Sequence, residues 1–198
     1  MKNDSEAARR AVVHQGPKIT GIRSVAQTQL FKIEAVSLEF SNGEKREFER
    51  LKEWAPGVVL MVPMQDSETL LLTKEYAAGV NEYALCFPKG RIEMGEDCYQ
   101  AANRELQEEI SFKSNRMTYI QAMTTSPNYN ATLMHIVLAE DLSPSSLQGD
   151  EPEPITIIPW SIHDISGLLA RSDFHEARSI AALFLVKAHL EKRHSHST

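Results

Sequence analysis

Short apolar runs separated by turn-forming residues recur along the first two thirds of the chain, and this pattern predicts β-strands. Residues 31–40 are rich in Val, Ile, Leu and Phe, and residues 44–51 return as a second strand after Ser41-Asn42-Gly43. Because Asn-Gly is the strongest short-range hairpin signal, these residues predict an antiparallel hairpin. Its exposed edge needs a cover, and a second copy of the chain would provide one.

Two further apolar runs, residues 57–63 and 69–76, flank a polar turn and are expected to form adjacent strands of the core. The other elements are expected, in chain order, as a loop at 77–84, a helix at 101–110, strands at 117–124, 133–139 and 155–159 with loops at 126–130 and 143–154 between them, and helices at 162–169 and 174–192. This order of elements is typical of a mixed β-sheet sandwiched between helices.

The helix at residues 101–110 combines an anionic face with an apolar one. At about 100° per residue, Glu105, Glu108 and Glu109 share one face of it. An apolar stripe runs beside this face: Cys98, Ala102, Leu106 and Ile110. Glu96 is expected to open the helix, where an acidic residue suits the positive end of the dipole. The acidic face is interpreted either as a solvated surface with Arg104 as its counter-ion or as a cation site.

Composition narrows the class of protein. At 198 residues the chain is expected to be one domain with at most a small appendage. The net charge of −6 argues against a nucleic-acid groove but allows an anionic substrate held through divalent metal ions. Two cysteines make no disulfide framework, no apolar run is long enough to span a membrane, and no hydrophobic signal core is evident. A cytoplasmic enzyme is therefore expected.

Residues 90–112 match the spacing G-x5-E-x7-R-E-U-x-E-E-x-G-U, in which U is bulky and aliphatic. The matching residues are Gly90, Glu96, Arg104, Glu105, Leu106, Glu108 and Glu109, with apolar Phe112 in the last position. Ser111 stands where the pattern has its penultimate glycine. A glycine there suits the left-handed turn that closes a helix, and a residue with a Cβ is disfavoured in that turn by about 1 kcal/mol. We expect a different helix exit and not a lost site, because Ser111 supplies no carboxylate.

This spacing is that of the Nudix hydrolases, and the resemblance extends over nearly all of residues 20–190. The chain resembles the ADP-ribose pyrophosphatase branch, and within it the bacterial ADP compounds hydrolases (NudE type). The segments that carry the resemblance are LEFSNGEKREFER (38–50), TKEY (73–76), FPKG (87–90), YQAANREL (99–106) and GDEPEP (149–154). The resemblance implies an α+β fold, a Nudix α/β/α sandwich with a mixed β-sheet and an N-terminal antiparallel β-hairpin extension.

The expected organisation follows from this resemblance and from the strand pattern. It comprises a flexible N-terminal extension (1–18), a hairpin subdomain for dimerisation (19–56), a Nudix hydrolase domain (57–192) and a C-terminal tail (193–198). A homodimer through residues 20–56 is the expected assembly, with a small-molecule nucleotide as substrate and neither nucleic acid nor membrane as partner.

The resemblance implies hydrolysis of the diphosphate bond in ADP-X compounds, such as ADP-ribose, NADH and diadenosine polyphosphates, to AMP and a second phosphorylated product. Carboxylates on a rigid helix bind hard divalent cations through oxygen, so Mg²⁺ is the expected cofactor, with Mn²⁺ as its substitute. Such ions could bridge diphosphate oxygens and lower the pKa of a bound water.

The resemblance also implies metal and catalytic roles for individual residues. Glu105 and Glu109 are implied as metal ligands, Glu108 as an assisting ligand and catalytic residue, and the backbone carbonyl of Lys89 as the group that completes the shell. Arg104 is interpreted as an orienting residue that forks onto a neighbouring glutamate, or else as a plain surface ion pair.

Two further roles lie outside the helix. The general base is expected in the loop before the last strand, with Glu151 as first choice and Glu153 as second, although either is also compatible with a solvated charge in an acidic loop. An adenine platform is implied at Phe48, Glu49 and Arg50 of the hairpin; the alternative there is a hydrophobic contact beside a surface charge.

Two departures from the family bear on specificity. Many ADP-ribose pyrophosphatases carry a glutamate just ahead of the F/L-P-x-G turn and an arginine after the strand equivalent to residues 69–76. Cys86 and Ala77 occupy those places here, which favours the broader NudE-like substrate set. A non-catalytic Nudix-fold sensor is the alternative, and the intact carboxylates disfavour it. An isomerase of the isopentenyl diphosphate type ranks lower, because no catalytic cysteine context is evident.

Overall fold

The computed structural model describes residues 16–52 and 56–195, in two compact units. One unit comprises the described residues up to Lys52 together with Asn128–Asn130, and the other comprises the remainder. The elements, in chain order, are β1 (Lys18–Gln27), β2 (Lys32–Glu39), β3 (Lys45–Leu51), β4 (Val58–Pro63), β5 (Thr69–Ala77), β6 (Glu82–Cys86), β7 (Lys89–Arg91), α1 (Cys98–Glu109), β8 (Phe112–Ser126), β9 (Asn130–Pro144), β10 (Thr156–Ser161), α2 (Ile165–Leu169) and α3 (Ala177–Ser195).

The chain ends differ partly from expectation. Residues 1–15 of the predicted N-terminal extension lie outside the described residues, and Lys18 already belongs to β1. Residues 196–198 of the predicted tail also lie outside them, whereas α3 continues through Ser195. Of the helices in the described ranges, none has the length and apolar character needed to cross a bilayer.

The N-terminal unit contains the predicted hairpin. Strands β2 and β3 pair antiparallel from Ile33–Leu51 to Glu39–Lys45, and β1 extends the sheet on the other edge of β2. Gly43 closes the turn with a φ of 82°, a conformation that glycine adopts without strain. Strand β1 was not delimited from the sequence, because nearly all of its side chains are exposed and its polar and apolar residues do not alternate cleanly.

The larger unit is built on a mixed sheet, as the sequence predicts. Strand β4 pairs parallel with β9 and antiparallel with β7, and β8 joins the far edge of β9. Successive residues of β4 enter opposite cores: Leu60 and Val62 join one apolar cluster, and Val59 and Met61 join another. The first cluster is covered by α3 and the second by α1. The predicted α/β/α sandwich is therefore confirmed.

Strands β4 and β5 are not adjacent members of one sheet, contrary to the prediction. A single bridge between Met64 and Leu70 links them across the turn, after which β5 pairs with β6 and β10 in a separate three-stranded sheet. Residues 69–76 carry the expected apolar pattern, but an apolar pattern identifies a strand and its faces without identifying the strand beside it.

The predicted loop at residues 77–84 is wrong from Glu82 onward, where β6 begins. Both Val80 and Asn81 donate their backbone N–H to the Ala77 carbonyl, so that β5 and β6 form a tight hairpin. Asn81 takes a φ of 58°, which asparagine tolerates better than most residues. The first two residues of β6 are exposed, and this shortens its apolar signal to the last three.

Candidate active site

Helix α1 begins at a well-formed cap. Asp97 accepts hydrogen bonds from the backbone N–H groups of Tyr99 (2.9 Å) and Gln100 (2.8 Å), and the Gln100 side chain accepts from the Asp97 N–H at 2.9 Å. This reciprocal arrangement is a capping box. The prediction that Glu96 opens the helix is therefore wrong by one residue, and the Glu96 carboxylate is left for another contact.

The helix ends through a left-handed residue. Ser111 has a φ of 60°, the conformation that the glycine of the family pattern would take. The expectation of a different helix exit is wrong: the exit is kept, with the strain of a Cβ in the left-handed region. The Ser111 carbonyl accepts the Ser145 N–H at 3.1 Å, which ties the end of the helix to the loop that follows β9.

Arg104 contacts three of the signature glutamates at once. Its Nε and Nη2 fork onto Glu96 at 2.9 and 3.0 Å, and its Nη1 donates to Glu105 at 2.8 Å and Glu108 at 3.0 Å. A further bond reaches the Arg91 carbonyl at 2.8 Å. The hydrogen bonds to Glu96 raise the pKa of Arg104, and the same contact lowers the pKa of Glu96. This geometry favours an orienting role over a plain surface ion pair.

Glu105 and Glu109 are the most desolvated carboxylates of this face. Burial raises the pKa of Glu105, and Arg104 opposes that rise. Burial also raises the pKa of Glu109, helped by the negative charge of Glu75 and opposed by Lys89. Glu109 Oε1 accepts the Lys89 backbone N–H at 3.4 Å. Among the described residues, Glu109 Oε2 is the one buried side-chain nitrogen or oxygen that lacks a hydrogen-bond partner.

The acidic face borders a cavity of about 720 Å³. Six carboxylates line this carboxylate cavity: Glu93, Glu105, Glu108, Glu109, Asp150 and Glu151. Within the described part of the chain, no three acidic, histidine or cysteine side chains converge into a ready-made cation sphere. Arg104 binds Glu105 through Oε1 and Glu108 through Oε2, so ligation would use the other oxygen of each carboxylate.

The loop that carries Asp150 and Glu151 is attached to α1. Leu147 donates its N–H to the Gln107 carbonyl at 3.2 Å, and Ser145 Oγ donates to Gln107 Oε1 at 2.7 Å. These contacts bring the acidic loop over the helix face. Asp150 was not singled out from the sequence, although its position beside Glu151 was a signal that could have found it.

The structure separates the two candidate bases. Glu151 lines the carboxylate cavity, and burial, together with the charges of Glu75 and Asp150, raises its pKa. Glu153 instead accepts the hydroxyl of Tyr83 and lies outside that cavity. Of the two, Glu151 is therefore the carboxylate that shares a cavity with the acidic face of α1.

A second polar cluster adjoins Glu109 and was missed by sequence reasoning. Lys89 Nζ bonds Glu75 at 2.9 Å and the Cys86 sulfur at 3.2 Å, and Thr73 Oγ1 donates to Glu75 at 2.6 Å. Burial raises the pKa of Cys86 to about 11, so this thiol stays protonated at neutral pH. Cys86 occupies the position at which many ADP-ribose pyrophosphatases carry a glutamate. Glu75 Oε1 lies 3.6 Å from the Cys86 sulfur and so brings a carboxylate close to that position.

The hairpin residues assigned to adenine lie on β3, in the N-terminal unit. The Phe48 side chain is 49% exposed, and Glu49 is exposed as well. Arg50 is held by Glu34, with a distance of 2.7 Å from Nε to Oε1. Their role in substrate binding stays a prediction.

Comparison with known proteins identifies the family to which the chain belongs. Residues 17–50 match the sequence model of the NudE-type Nudix hydrolase N-terminal domain, and residues 53–183 match that of the NUDIX domain. The chain belongs to the Nudix hydrolase family. It is 45% identical over 177 residues to the ADP compounds hydrolase NudE of Escherichia coli (strain K12), covering 89% of this chain and 95% of that one.

Two further relatives agree with this placement. The ADP-ribose pyrophosphatase of Bacillus subtilis (strain 168) is 26% identical over 168 residues, covering 81% of this Nudix hydrolase and 90% of the relative. A crystal structure of an ADP compounds hydrolase superposes with a TM-score of 0.86 at 44% identity, covering 91% of this chain and 97% of that one. The fold and the enzyme class are thus those expected from the signature.

Nudix hydrolases generally need a divalent metal ion, and the residues of this site fit one. The unpartnered Glu109 Oε2 is a buried oxygen that a hard cation would satisfy. The Glu105 carboxylate packs against Gly90: a Cβ added to Gly90 would lie 1.8 Å from the carboxyl carbon of Glu105. The donor set consists of oxygen ligands, which suits magnesium better than a soft metal.

Proposed function

We propose that this Nudix hydrolase cleaves the diphosphate bond of ADP-X compounds in a Mg²⁺-dependent reaction, releasing AMP and a second phosphorylated product. The substrate range is that of ADP-ribose, NADH and diadenosine polyphosphates. The observation that carries the proposal is the buried, unpartnered oxygen of Glu109 on a helix face that presents Glu105 and Glu108 beside it. The similarity to proteins named ADP compounds hydrolase and ADP-ribose pyrophosphatase supports this substrate class.

Glu105 and Glu109 would hold the metal, with Glu108 assisting and the Lys89 carbonyl completing the shell; Mn²⁺ would substitute. The contact between the Lys89 N–H and Glu109 supports the Lys89 assignment, because it puts the backbone of β7 against this carboxylate. When bound, such an ion neutralises diphosphate charge and activates a water. Arg104 orients Glu105 and Glu108 for this purpose from its fork on Glu96.

Glu151 takes the proton of the attacking water in this proposal, and Glu153 is the second candidate. The raised pKa of Glu151 suits a general base better than that of a fully solvated carboxylate would, because a base is most efficient when its pKa lies near the working pH. The water oxygen bonds to one phosphorus, the bridging oxygen leaves with the other, and the proton passes to Glu151.

Phe48, Glu49 and Arg50 are proposed to hold the AMP half. Phe48 offers a half-exposed ring for stacking. Glu49 offers an acceptor for the adenine amino group, and Arg50 is steadied by Glu34.

A panel assay tests the reaction. Purified protein is incubated with ADP-ribose, NADH and diadenosine polyphosphates in Mg²⁺, and the products are identified by mass spectrometry, with ¹⁸O-water to report which phosphorus is attacked. We expect AMP and a second phosphorylated product, and loss of turnover in Glu109→Gln with an unchanged circular-dichroism spectrum. Glu191→Gln, an exposed carboxylate on α3, is the matched control. Tight binding of these nucleotides with no cleavage at any metal concentration would indicate a sensor instead.

We also propose a homodimer formed through residues 20–56. Strand β1 exposes apolar side chains, among them Ile19 (52%), Ile22 (54%) and Val25 (41%), and a second copy would bury them. Light scattering at micromolar concentration should give twice the chain mass of 22.3 kDa, and Ile22→Lys should shift it towards the single-chain mass. A wild-type monomer at that concentration would count against the proposal.

A further inference from the structure

A second cavity, of about 350 Å³, adjoins the carboxylate cavity. Glu151 lines both of them, so a ligand whose diphosphate lies at the carboxylates could extend past Glu151 into the second space. Two tyrosines, Tyr76 and Tyr83, form the aromatic part of its wall. The AMP half of the substrate has proposed partners on β3, and the group on the other phosphate needs partners elsewhere.

The two tyrosines are held in place by their own strands. Tyr76 on β5 is directly opposite Tyr83 on β6 in the antiparallel register, and the ring centroids are 5.5 Å apart with an interplanar angle of 67°. The Tyr76 hydroxyl bonds Asn81 at 2.5 Å, and the Tyr83 hydroxyl bonds Glu153. Binding a ligand against rings that are already fixed loses little side-chain freedom.

Both rings nevertheless keep about half of their surface exposed. Tyr76 is 52% exposed and Tyr83 is 48% exposed. Exposed aromatic rings in a concave site offer π-faces on which nucleic-acid bases stack, with little dependence on the base. The rest of the wall disfavours another phosphate, because Glu75, Glu151 and Glu153 are acidic and Lys74 is engaged by Asp173 at 3.2 Å.

We propose that Tyr76 and Tyr83 form the subsite for the second ring of a dinucleotide substrate, the nicotinamide of NADH or the second adenine of a diadenosine compound. This inference rests on the proposed function and adds a specificity determinant to it. ADP-ribose, which carries no ring base on its second half, makes no stacking contact there. The subsite therefore discriminates between substrates that share the same AMP half and the same scissile bond.

The test compares kcat/KM for NADH with kcat/KM for ADP-ribose in wild type and in Tyr76→Leu and Tyr83→Leu. Removing a stacked ring weakens base binding by about 1–3 kcal/mol, so the NADH to ADP-ribose ratio should fall by about five- to 150-fold. Tyr76→Phe and Tyr83→Phe keep the ring and should keep the ratio within about twofold of wild type. Tyr119→Leu, which removes an exposed tyrosine on β8 outside both cavities, is the matched control.

The outcomes separate the subsite from the reaction itself. If wild type cleaves both compounds and the leucine variants leave the ratio unchanged, the subsite is wrong and the proposed hydrolase stands. A parallel loss on both substrates means that the variants disturbed the site as a whole, for Tyr83→Leu through its lost bond to Glu153, and this also overturns the subsite. If wild type cleaves neither compound, the proposed function fails, and the subsite fails with it.

Discussion

The Glu105 carboxylate packs against Gly90 in space that a side chain on residue 90 would otherwise fill. A Cβ built on Gly90 would lie 1.8 Å from the Glu105 carboxyl carbon and 1.9 Å from Oε1. Strand β7 and helix α1 therefore meet at the carboxylate proposed to hold the metal. The glycine of the signature sets where that carboxylate stands.

Replacing Gly90 by alanine should displace Glu105 and lower kcat by at least about tenfold, the range seen when ligand-positioning groups are lost. The fold should survive, because the clash is with one flexible side chain. Gly79→Ala is the matched control, since a Cβ there would meet nothing within 4 Å. Steady-state kinetics measure the change in kcat, and circular dichroism shows whether the fold is retained. A wild-type kcat in Gly90→Ala would refute the placement of Glu105.

Arg104→Lys should raise the Mg²⁺ concentration for half-maximal activity by about 10–100-fold. A single ammonium group cannot reproduce the fork on Glu96 while also reaching Glu105 and Glu108. Magnesium titrations of activity measure the effect. Arg193→Lys, which breaks a comparable fork on Glu140 away from the carboxylate cavity, should leave the titration unchanged. Equal shifts in the two variants would assign Arg104 a purely structural role.

Without metal, stability should fall with rising pH in a way that depends on Glu109. Burial raises the folded-state pKa of Glu105 and Glu109 above the ordinary 4.5, so the folded chain keeps protons that the unfolded chain releases. Their contribution is fully present below about pH 4.5 and is lost as pH rises through the raised values. Thermal unfolding in EDTA should therefore show a shallower decline in Tm with pH for Glu109→Gln than for wild type.

Magnesium should reverse this decline, because an ion that binds only the folded state stabilises it. Glu191→Gln, at an exposed position, serves as the control and should follow the wild-type curve. Parallel curves for wild type and Glu109→Gln in EDTA would contradict a raised folded-state pKa of Glu109.

Ser111→Gly should stabilise the protein by about 1 kcal/mol, because the φ of 60° at Ser111 strains a residue with a Cβ. For a chain of this size the gain corresponds to a rise in Tm of about 2–4 °C. Ser111→Ala keeps the Cβ and should bring no gain. Calorimetry of the two variants checks this, and a destabilised glycine variant would show that the 3.3 Å contact to Ser146 outweighs the strain.

The features that the sequence predicted well depend on residues close together in the chain. Glu105, Glu108 and Glu109 share a face because helical geometry places them there, and the hairpin follows from Asn42-Gly43. The contact of Arg104 with Glu96 was harder to predict from the sequence, because it depends on the path of the chain between β7 and α1. Ser111 kept a glycine conformation because the flanking helix and the loop bond to Ser145 determine the backbone there.

What could not be predicted depends on pairing between distant segments. Glu75 joins the site only because β5 and β6 pair, which brings Cys86 and Lys89 to it. Its signal in the sequence is one acidic residue in an apolar strand, and an edge-strand charge gives the same signal. The different roles of Glu151 and Glu153 likewise required the position of Tyr83.

Gln107 occupies a position that the Nudix signature leaves unspecified, yet it accepts the Leu147 N–H through its carbonyl and the Ser145 hydroxyl through its side chain. The proposed base on the acidic loop is thereby fastened to the helix that bears the proposed ligands. Proton acceptor and metal-holding groups would then move together as one body during thermal motion. A substitution of Gln107 would weaken the attachment of the proposed base to α1, although every residue of the Nudix signature would still be present.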